Sequence, residues 1–160
     1  MANDTKNGTI RSNLGLVAPR VNIGGNFVDV TVSVAAAASA GSVYTMYRLP
    51  TNARIHGWSR VAFDDLASTG SPTLDFGFKA VDDNFTTDPD ALNDGVDVFT
   101  SATGGTANLI KDHANYGKKV WEILGLSSDP TGFADLTISI LDAATNTGGD
   151  VTLSLMYSVD

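Results

Sequence analysis

The sequence contains no cysteine, which excludes disulfide bridges and thiolate metal sites. Glutamate is almost absent as well, because Glu122 is the only one among 18 acidic residues. Strong charged helix formers are therefore scarce, which favours strands over helices. The 10 basic residues leave a net charge of -8. We expect no nucleic-acid partner, since affinity for phosphate backbones comes from clustered lysine and arginine.

Long apolar runs are also missing. The longest uncharged stretch, Thr31 to Tyr47, is interrupted by Thr, Ser and Gly, so we predict no membrane-spanning segment and no membrane partner. The first six residues lack the apolar run of a signal peptide, and we expect synthesis in a cytoplasm. The 160 residues suit one domain. A domain of that size buries roughly 70% of its unfolded surface, enough for a core without covalent links.

Apolar and polar residues alternate through much of the chain, the period of 2 that is typical of strands with one buried face. The clearest case is Phe27–Val34, where four valines alternate with Asp29, Thr31 and Ser33. The last two alternating segments are separated by Asn-Thr-Gly-Gly and are predicted to form a terminal hairpin. The predicted strands are Phe27–Val34, Val43–Leu49, Arg54–Phe63, Thr73–Val81, Leu136–Ile140 and Val151–Val159.

Three regions depart from this alternation. Residues 82–105 concentrate aspartates around a proline and end in two glycines, which predicts a long surface loop. Tyr116–Leu124 carries apolar residues at helical spacing before Gly125, and the single helix is predicted within it. Residues 1–24 show no period of 2 or 3.6 along their length and end at a glycine pair, which predicts an extended N-terminal arm.

The fold class follows from the number and spacing of the strands. About seven or eight strands, with turn signals roughly every 8 to 12 residues, predict an all-β sandwich or barrel. We predict a jelly-roll-like β-sandwich with one short helix and an extended N-terminal arm. Residues 1–24 form the arm and residues 25–160 the β-sandwich domain. The core is expected to contain Val30, Val32, Phe76, Ile138, Ile140, Leu153 and Leu155.

Catalytic chemistry is hard to find in the sequence. His56 lies in a predicted strand beside Trp58, where a half-exposed, hydrogen-bonded histidine is the ordinary interpretation. The Asp112–His113 pair would need a nucleophile, and no G-x-S-x-G motif is present. The glycine pairs match neither the dinucleotide nor the P-loop motif. We therefore predict no enzymatic activity, no catalytic residues and no cofactor.

The acidic segment 82–97 raises the question of calcium, which takes six to eight oxygen ligands. Its relevant carboxylates are Asp88, Asp90 and Asp94, but no further acid follows Asp90 two residues on and no glutamate closes the loop. A solvated acidic loop is the alternative, so we predict no dedicated metal site and leave calcium binding by 82–97 open. Paired carboxylates also serve glycoside hydrolases, yet Trp58 and Trp121 alone do not define a sugar cleft.

Four segments resemble small structural proteins of tailed bacteriophages, and the resemblance covers roughly residues 26 to 160. They are Leu49–His56, the strand Leu74–Gly77, the Trp-bearing Lys118–Leu126 and the closing strand Asp150–Tyr157. The resemblance implies a decoration, or cement, protein that binds the lattice of the major capsid protein and stabilises the shell. It further implies a place on the outer surface of the virion after synthesis in the host cytoplasm. A homo-oligomer, with a trimer favoured, would suit the three-fold positions of a shell.

Partner-binding residues are predicted in the arm. Lys6, Arg11 and Arg20 make the segment from Lys6 to Arg20 basic while the rest of the chain is acidic. Such a segment can lie on an acidic groove of a capsid subunit or of a neighbouring copy. The alternative is an unstructured terminus. The alternative function is a receptor- or carbohydrate-binding β-sandwich of a phage fibre or tail, because exposed loops on a rigid β scaffold commonly carry recognition.

Overall fold

The computed structural model describes residues 25–98 and 103–159. These residues form nine strands and two short helical turns. The 3₁₀ turn covers His113–Asn115, and the α-helix, α1, covers Val120–Ile123. The strands are β1 (Gly25–Val34), β2 (Val43–Pro50), β3 (Ala53–Ile55), β4 (Arg60–Phe63), β5 (Thr73–Ala80), β6 (Asp88–Asp97), β7 (Gly105–Asn108), β8 (Phe133–Leu141) and β9 (Gly149–Val159).

The strands are arranged in two antiparallel sheets. Sheet A has the order β1-β9-β4-β7, with β3 also paired to β9, and sheet B has the order β2-β8-β5-β6. The chain passes repeatedly from one sheet to the other, so that the first and last strands become neighbours. This strand order is that of a double-sheet jelly roll. The predicted all-β, jelly-roll-like sandwich with one short helix is confirmed, whereas the predicted arm, residues 1–24, lies outside the described residues.

The core lies between the two sheets. Phe76, Ile138, Ile140, Leu153 and Leu155 are all buried there, as predicted. Val30 and Val32 are only partly buried, so they lie at the margin of the core, and Val32 packs against it. The reason is that β1 is an edge strand, where one side of each valine has no neighbouring strand to cover it.

The predicted terminal hairpin is absent, because the two strands belong to different sheets. β8 pairs with β2 and β5, whereas β9 pairs with β1, β3 and β4. The connection between β8 and β9 therefore crosses from sheet B to sheet A. Alternation identified both strands correctly, but it carries no information about which strand each one pairs with.

The predicted surface loop 82–105 was also wrong over much of its length. Residues Asp88–Asp97 form β6, the edge strand of sheet B, and Gly105 begins β7. β6 pairs with β5 through two register shifts, which accommodate Pro89 and Gly95 in a strand. Proline and glycine are tolerated at such edge positions, where few ladder hydrogen bonds are lost.

The predicted helix is confirmed as α1, a single turn inside Tyr116–Leu124. The Glu122 carboxylate accepts the N–H of Lys119 at 2.7 Å, which satisfies a backbone donor at the helix start. Gly125 follows with a φ of 69°, the left-handed conformation that commonly ends a helix. No helix within 25–98 and 103–159 is long and apolar enough to cross a membrane.

Candidate interaction surface

A four-residue bulge interrupts the strand that was predicted over Arg54–Phe63. Ile55 in β3 lies opposite Tyr157, and Arg60 in β4 lies opposite Ser154. Residues 56–59 therefore face the β9 segment around Met156. The alternation predicts a continuous strand here, but Gly57 and Trp58 leave the ladder and form the tip of the bulge.

Hydrogen bonds fix this bulge to the centre of sheet A. The backbone N–H of His56 donates to the Met156 carbonyl at 2.9 Å. The buried Ser59 hydroxyl donates to the same carbonyl at 3.2 Å and accepts the Met156 N–H at 3.0 Å. The Ser59 N–H closes the turn by donating to the His56 carbonyl at 2.9 Å. The tip is therefore held rigidly, and a side chain on it has little backbone entropy to lose on binding.

The bulge displays an unusually exposed tryptophan. Trp58 is 86% exposed, although tryptophan is mostly buried in folded proteins. The neighbouring Gly57 lies against the ring of Tyr116, and a Cβ atom at position 57 would lie 2.6 Å from two of its ring carbons. Only glycine permits that approach. Tyr116 follows the 3₁₀ turn, whose N-cap Asp112 accepts the Ala114 N–H at 2.9 Å, and 43% of it is exposed.

Two further apolar side chains lie beside the bulge on the outer face of sheet A. Phe27 in β1 is directly opposite Met156 in β9, so the two side chains are cross-strand neighbours on one face. Phe27 is 66% exposed and Met156 half-buried. We call Phe27, Trp58, Tyr116 and Met156 the aromatic surface. Exposed aromatic groups on a rigid support are typical of the residues that dominate binding energy at protein interfaces.

Basic residues are concentrated near the aromatic surface although the chain is acidic. Residues 53–60 and 111–119 hold five of the seven lysines and arginines within the described part of the chain, and one acid, Asp112. Arg54 donates through Nη1 to the Gly117 carbonyl at 2.5 Å and lies 4.0 Å from the Glu122 carboxylate. The charge around the aromatic surface therefore favours a partner that is apolar at the contact and acidic around it.

The histidines do not form a catalytic arrangement. His113 is exposed, and its Nδ1 lies 3.6 Å from the Asp112 carboxylate on the 3₁₀ turn. His56 follows β3, and its Nε2 atom is buried without a hydrogen-bond partner within the described residues. His56 is half-buried, and this ring nitrogen does not take part in a catalytic hydrogen bond within the described residues. The two residues lie in different loops, and no nucleophile bonded to either of them occurs in the described ranges.

The aspartates of the segment 82–97 lie along β6 and the turn before it. The pKa of Asp88 is raised, first by burial and then by its hydrogen bond to Asp90 and by the negative charge of Asp90. The pKa of buried Asp75 in β5 is also raised, mainly by burial, and the Gly95 N–H that it accepts at 2.8 Å opposes this effect. Between residues 25 and 159, apart from 99–102, no three acidic or histidine side chains are grouped to hold a metal ion.

A surface depression of about 420 Å³ lies at the far end of sheet A and contains two carboxylates, Asp64 and Asp150. Both of them accept structural hydrogen bonds. The Asp64 carboxylate accepts the Asp150 N–H at 2.8 Å, and the Asp150 carboxylate accepts the Ser33 hydroxyl at 2.6 Å. Their arrangement fastens the β4 end to β9 and β1 and does not resemble an acid–base pair flanking a substrate.

The structure brings together residues that the sequence analysis did not select. The predicted partner-binding residues, Lys6, Arg11 and Arg20, all lie outside the described residues. Trp58 and Tyr116 are distant in sequence, and the aromatic surface arises only when the 3₁₀ turn packs on the bulge. The local signal was Gly57–Trp58 itself, which breaks an otherwise alternating segment.

Two solved phage capsids contain chains of similar fold. A chain of the cyanophage Pam1 capsid asymmetric unit aligns with a TM-score of 0.58 and 16% identity, over 85% of this chain and 85% of that chain. A chain of the capsid of Ralstonia phage GP4 aligns with a TM-score of 0.57 and 20% identity, over 84% and 85%. This chain shares its fold with proteins of phage capsids. At the level of fold, this agrees with the resemblance to phage structural proteins.

Comparison by sequence adds no relative, since neither a protein-family model nor a curated protein matches this chain. The likeness to the Pam1 and GP4 capsid chains is therefore carried by strand order and shape. Fold likeness of this kind does not transfer interface residues, which have to be argued from the chain itself.

Proposed function

We propose that this protein is a virion structural protein that decorates a phage capsid and cements it by binding the lattice of the major capsid protein. The observation that carries the proposal is the jelly-roll fold shared with chains of two phage capsids over 84% or more of each chain. The role is architectural and not enzymatic. The protein acts on the outer surface of the virion after synthesis in the host cytoplasm.

Cementing is a linkage effect. A protein that binds the assembled lattice and not the free subunits stabilises the assembled state by mass action. Rigid presentation is an advantage in this role, because a contact that is ordered before binding loses less entropy on attachment. The clamped bulge with Trp58 at its tip meets that requirement, and the nearby Arg54 and Arg60 complement an acidic capsid surface.

Two contact regions are assigned in this proposal. The aromatic surface supplies apolar contact, with Trp58 as the largest contributor. Lys6, Arg11 and Arg20 supply charge contacts to an acidic groove of a capsid subunit. A homotrimer at three-fold positions remains a prediction, and mass measurement of the purified protein by light scattering tests it.

The test is attachment to capsids that lack the protein. Full-length protein and its variants are mixed with such particles, and bound protein is measured by co-sedimentation. Trp58→Ala is expected to weaken attachment about tenfold or more. The matched control is Phe133→Ala, which removes another exposed aromatic residue, 48% exposed, at the start of β8 in sheet B.

Charge contacts are tested in the same assay. The triple variant Lys6→Ala, Arg11→Ala, Arg20→Ala is expected to weaken attachment and to reduce its dependence on salt, because screened charge pairs have been removed. Lys79→Ala, a single basic change in β5, is the control. If the unmodified protein fails to attach to any such particle, the cementing proposal is wrong. If Trp58→Ala and Phe133→Ala attach equally well, the aromatic surface is not the contact.

A second function is favoured by the same exposed rings. Trp58 and Tyr116 present aromatic faces at a loop on a rigid scaffold, as receptor- or carbohydrate-binding modules do. A glycan array separates the two functions. Specific glycan binding that is lost in Trp58→Ala, combined with no attachment to capsids, would favour a fibre or tail protein.

A further inference from the structure

Two register shifts divide the ladder between β5 and the edge strand β6. The regular pairs on either side of them are Leu74 with Val96, Phe76 with Asn93 and Phe78 with Asp88. At each shift β6 contains more residues than β5, so the extra backbone leaves the ladder and needs other contacts to hold it. In both places an aspartate supplies such a contact.

At the first shift the contact is made by Asp75. Asp75 lies in β5 between the paired residues Leu74 and Phe76, and its carboxylate accepts the Gly95 N–H at 2.8 Å. Gly95 has a φ of 73°, the left-handed conformation that is typical of a glycine in a β-bulge. Asp75 itself is only 2% exposed. A buried side chain therefore takes the place of a ladder bond at this bulge.

At the second shift the contact joins two aspartates of β6. The side chains of Asp88 and Asp90 are hydrogen-bonded to each other, and the Asp88 carboxylate also accepts a bond from the backbone of Asp90. Ionised carboxylates only accept hydrogen bonds, so the bond between the two side chains requires a proton on one of them. The backbone on either side of Pro89 is therefore held by a contact that exists only while a proton is bound.

At these two places β6 covers the outer face of sheet B. Gly77 in β5 has no side chain, and the backbone of Asp88 and Pro89 lies where its Cβ atom would be. Thr137 and Ser139 of β8, on the same face, are at most 3% exposed. The Ser139 hydroxyl is buried without a hydrogen-bond partner within the described residues. Because water would satisfy that hydroxyl, its burial favours the opening of β6.

The surroundings of Asp75 favour its protonated form. Burial raises the pKa of Asp75, and the negative charges of Asp94 and Asp90 on β6 and of Asp142 after β8 raise it further. The bond from the Gly95 N–H acts in the opposite direction. A proton on Asp75 removes its repulsion with the two acids of β6, so β6 can lie against β5 at lower cost.

The surroundings of Asp88 act in the same direction. Burial raises its pKa first, followed by the side-chain hydrogen bond to Asp90 and the charge of Asp90, whereas the backbone bond from Asp90 lowers it. Two basic residues lie nearby. Lys111 donates from Nζ to the Asp94 carbonyl at 3.0 Å, and Lys79, which is exposed, follows the Phe78 that pairs with Asp88. Both Asp75 and Asp88 therefore bind a proton more tightly when β6 is in place than in an open chain.

We propose that β6 is a pH-dependent cover of sheet B, which is closed when Asp75 and Asp88 carry protons and is loosened when both ionise. Closure is strongest below the ordinary aspartate pKa of about 3.9 and weakens as the pH rises through the higher pKa values of the folded state. Each unit by which a pKa is raised makes closure about tenfold weaker once that carboxyl is ionised. The loosened form exposes Thr137 and Ser139 to water. This device does not depend on the proposed role in a capsid.

Amide hydrogen exchange between acidic and neutral pH tests the cover in the full chain. The protection factor of Gly95, which is corrected for the intrinsic effect of pH, is expected to fall at least about tenfold as the pH rises. Ile138 in β8 should stay more strongly protected and show that the fold is intact. If Gly95 and Ile138 were equally protected throughout, β6 would open only with the whole fold, and the proposal would be wrong.

A charge-matched pair of variants identifies the groups responsible. In Asp75→Asn, Asp88→Asn the protection of Gly95 should no longer depend on pH, because each amide keeps an acceptor oxygen and carries no charge. The control, Asp82→Asn, Asp83→Asn, removes the same charge from the turn before β6 and should keep the dependence. Loss of the dependence in the control, or its persistence in the first variant, would overturn the proposal.

Thiol labelling at neutral pH measures the exposure of sheet B directly, since the protein has no cysteine of its own. Ser139→Cys is prepared alone and together with Asp75→Asn, Asp88→Asn, and each protein is treated with iodoacetamide. Rates are expressed relative to Ser154→Cys, on the outer face of sheet A, in the same two backgrounds. We expect the cysteine at position 139 to react at least about tenfold faster when both aspartates are present. Equal relative rates would show that their ionisation does not loosen β6.

Discussion

The two sheets of the sandwich differ in how far their outer faces are covered by the rest of the chain. The central strands of sheet B, β5 and β8, are buried on both faces, since Asp75, Thr137 and Ser139, which point away from the core, are at most 3% exposed. The chain itself covers this sheet, as the backbone at Asp88–Pro89 lies so close to Gly77 that a Cβ atom there would meet it at 2.2 Å. No segment among residues 25–98 and 103–159 covers the outer face of sheet A in this way. Its outward residues Thr152, Ser154 and Met156 remain half-exposed.

This difference indicates where the molecule can interact. A sheet covered by its own chain can present only the covering segment, whereas an open sheet presents a face, an edge and the turns at its ends. The aromatic surface and the edge strand β1 both belong to sheet A. Phe133, an exposed aromatic residue of sheet B, lies at the start of β8. We therefore expect recognition to depend on sheet A and stability to depend most on sheet B.

The largest expected effect on stability comes from the strand buried on both faces. Ile138→Ala in β8 is expected to lower the free energy of unfolding by about 2 to 5 kcal/mol, because a 1%-exposed side chain is replaced by a cavity. Val30→Ala in β1 should cost about 1 kcal/mol or less, since that side chain is only partly buried at the edge of the sheet. Urea unfolding of both variants measures the difference. Equal losses would show that β1 is as well covered as β8.

The next largest effect on stability is expected from the hydroxyl of Ser59, which holds the bulge against β9. Ser59→Ala removes the hydroxyl that bonds both backbone groups of Met156 and is expected to cost about 1 to 3 kcal/mol, because the Met156 N–H loses its partner. Ser154→Ala, which removes an exposed hydroxyl bonded to Asp29, should cost less than about 0.5 kcal/mol. Thermal unfolding of the pair is the measurement. A similar shift in both would mean that the bulge is not fixed by this hydroxyl.

A smaller effect is expected from Asp75, and it depends on pH. The pKa of Asp75 is raised in the folded state by burial, so the unfolded carboxyl ionises first as the pH rises above the ordinary aspartate value of about 3.9. Folding then loses stability until the pH passes the folded pKa of Asp75. Asp75→Asn keeps an oxygen for the Gly95 N–H and removes the charge, so it should gain stability relative to the unmodified protein across that window. The measurement is the free energy of unfolding of both proteins as a function of pH. If the two curves ran parallel, the ionisation of Asp75 would not affect stability and the prediction would be wrong.

The smallest effect on stability is expected at the largest exposed side chain. Trp58→Ala should change the free energy of unfolding by less than about 0.5 kcal/mol, because 86% of Trp58 is already in water. The same variant is the one expected to lose attachment to capsids. The free energy of unfolding is measured by urea denaturation. A large loss would mean that Trp58 stabilises the bulge within the folded protein and does not serve mainly as a binding residue.

The strands that could be predicted from the sequence are those whose two faces differ. Alternation placed β1, β2, β5, β8 and β9 close to their observed bounds, because their apolar residues face the core and many of the residues between them are polar, which gives a period of 2. β6 could not be found in this way. Its Asp88-Pro89-Asp90 start is typical of a loop, and the strand exists only because β5 supplies a partner through a shifted register.

Neither the pairing of the strands nor the exposed position of Trp58 could be predicted from the local sequence pattern. β8 and β9 are consecutive and both alternate, yet they lie in different sheets, and nothing in their own residues distinguishes a hairpin from a crossing. The sequence indicates no partner for Trp58 beyond His56 beside it and a sugar cleft that it does not define with Trp121, since a tryptophan in an alternating segment is ordinarily a core residue. Its exposure follows from a bulge that is fixed by hydrogen bonds to Met156.

The central position of β9 in sheet A has a consequence for how the protein is made. Within the described residues, the ladders of β1 and β3 are both formed with β9, and β1 meets it almost a whole chain length away in sequence. Sheet A therefore cannot assemble on the ribosome until residues 149–159 have emerged, and β1 waits as an unpaired, valine-rich segment throughout synthesis. Proteins with so many distant contacts fold slowly and are most prone to aggregate in that interval. We expect the yield of soluble protein to depend on the rate of translation and on chaperones that bind extended apolar segments.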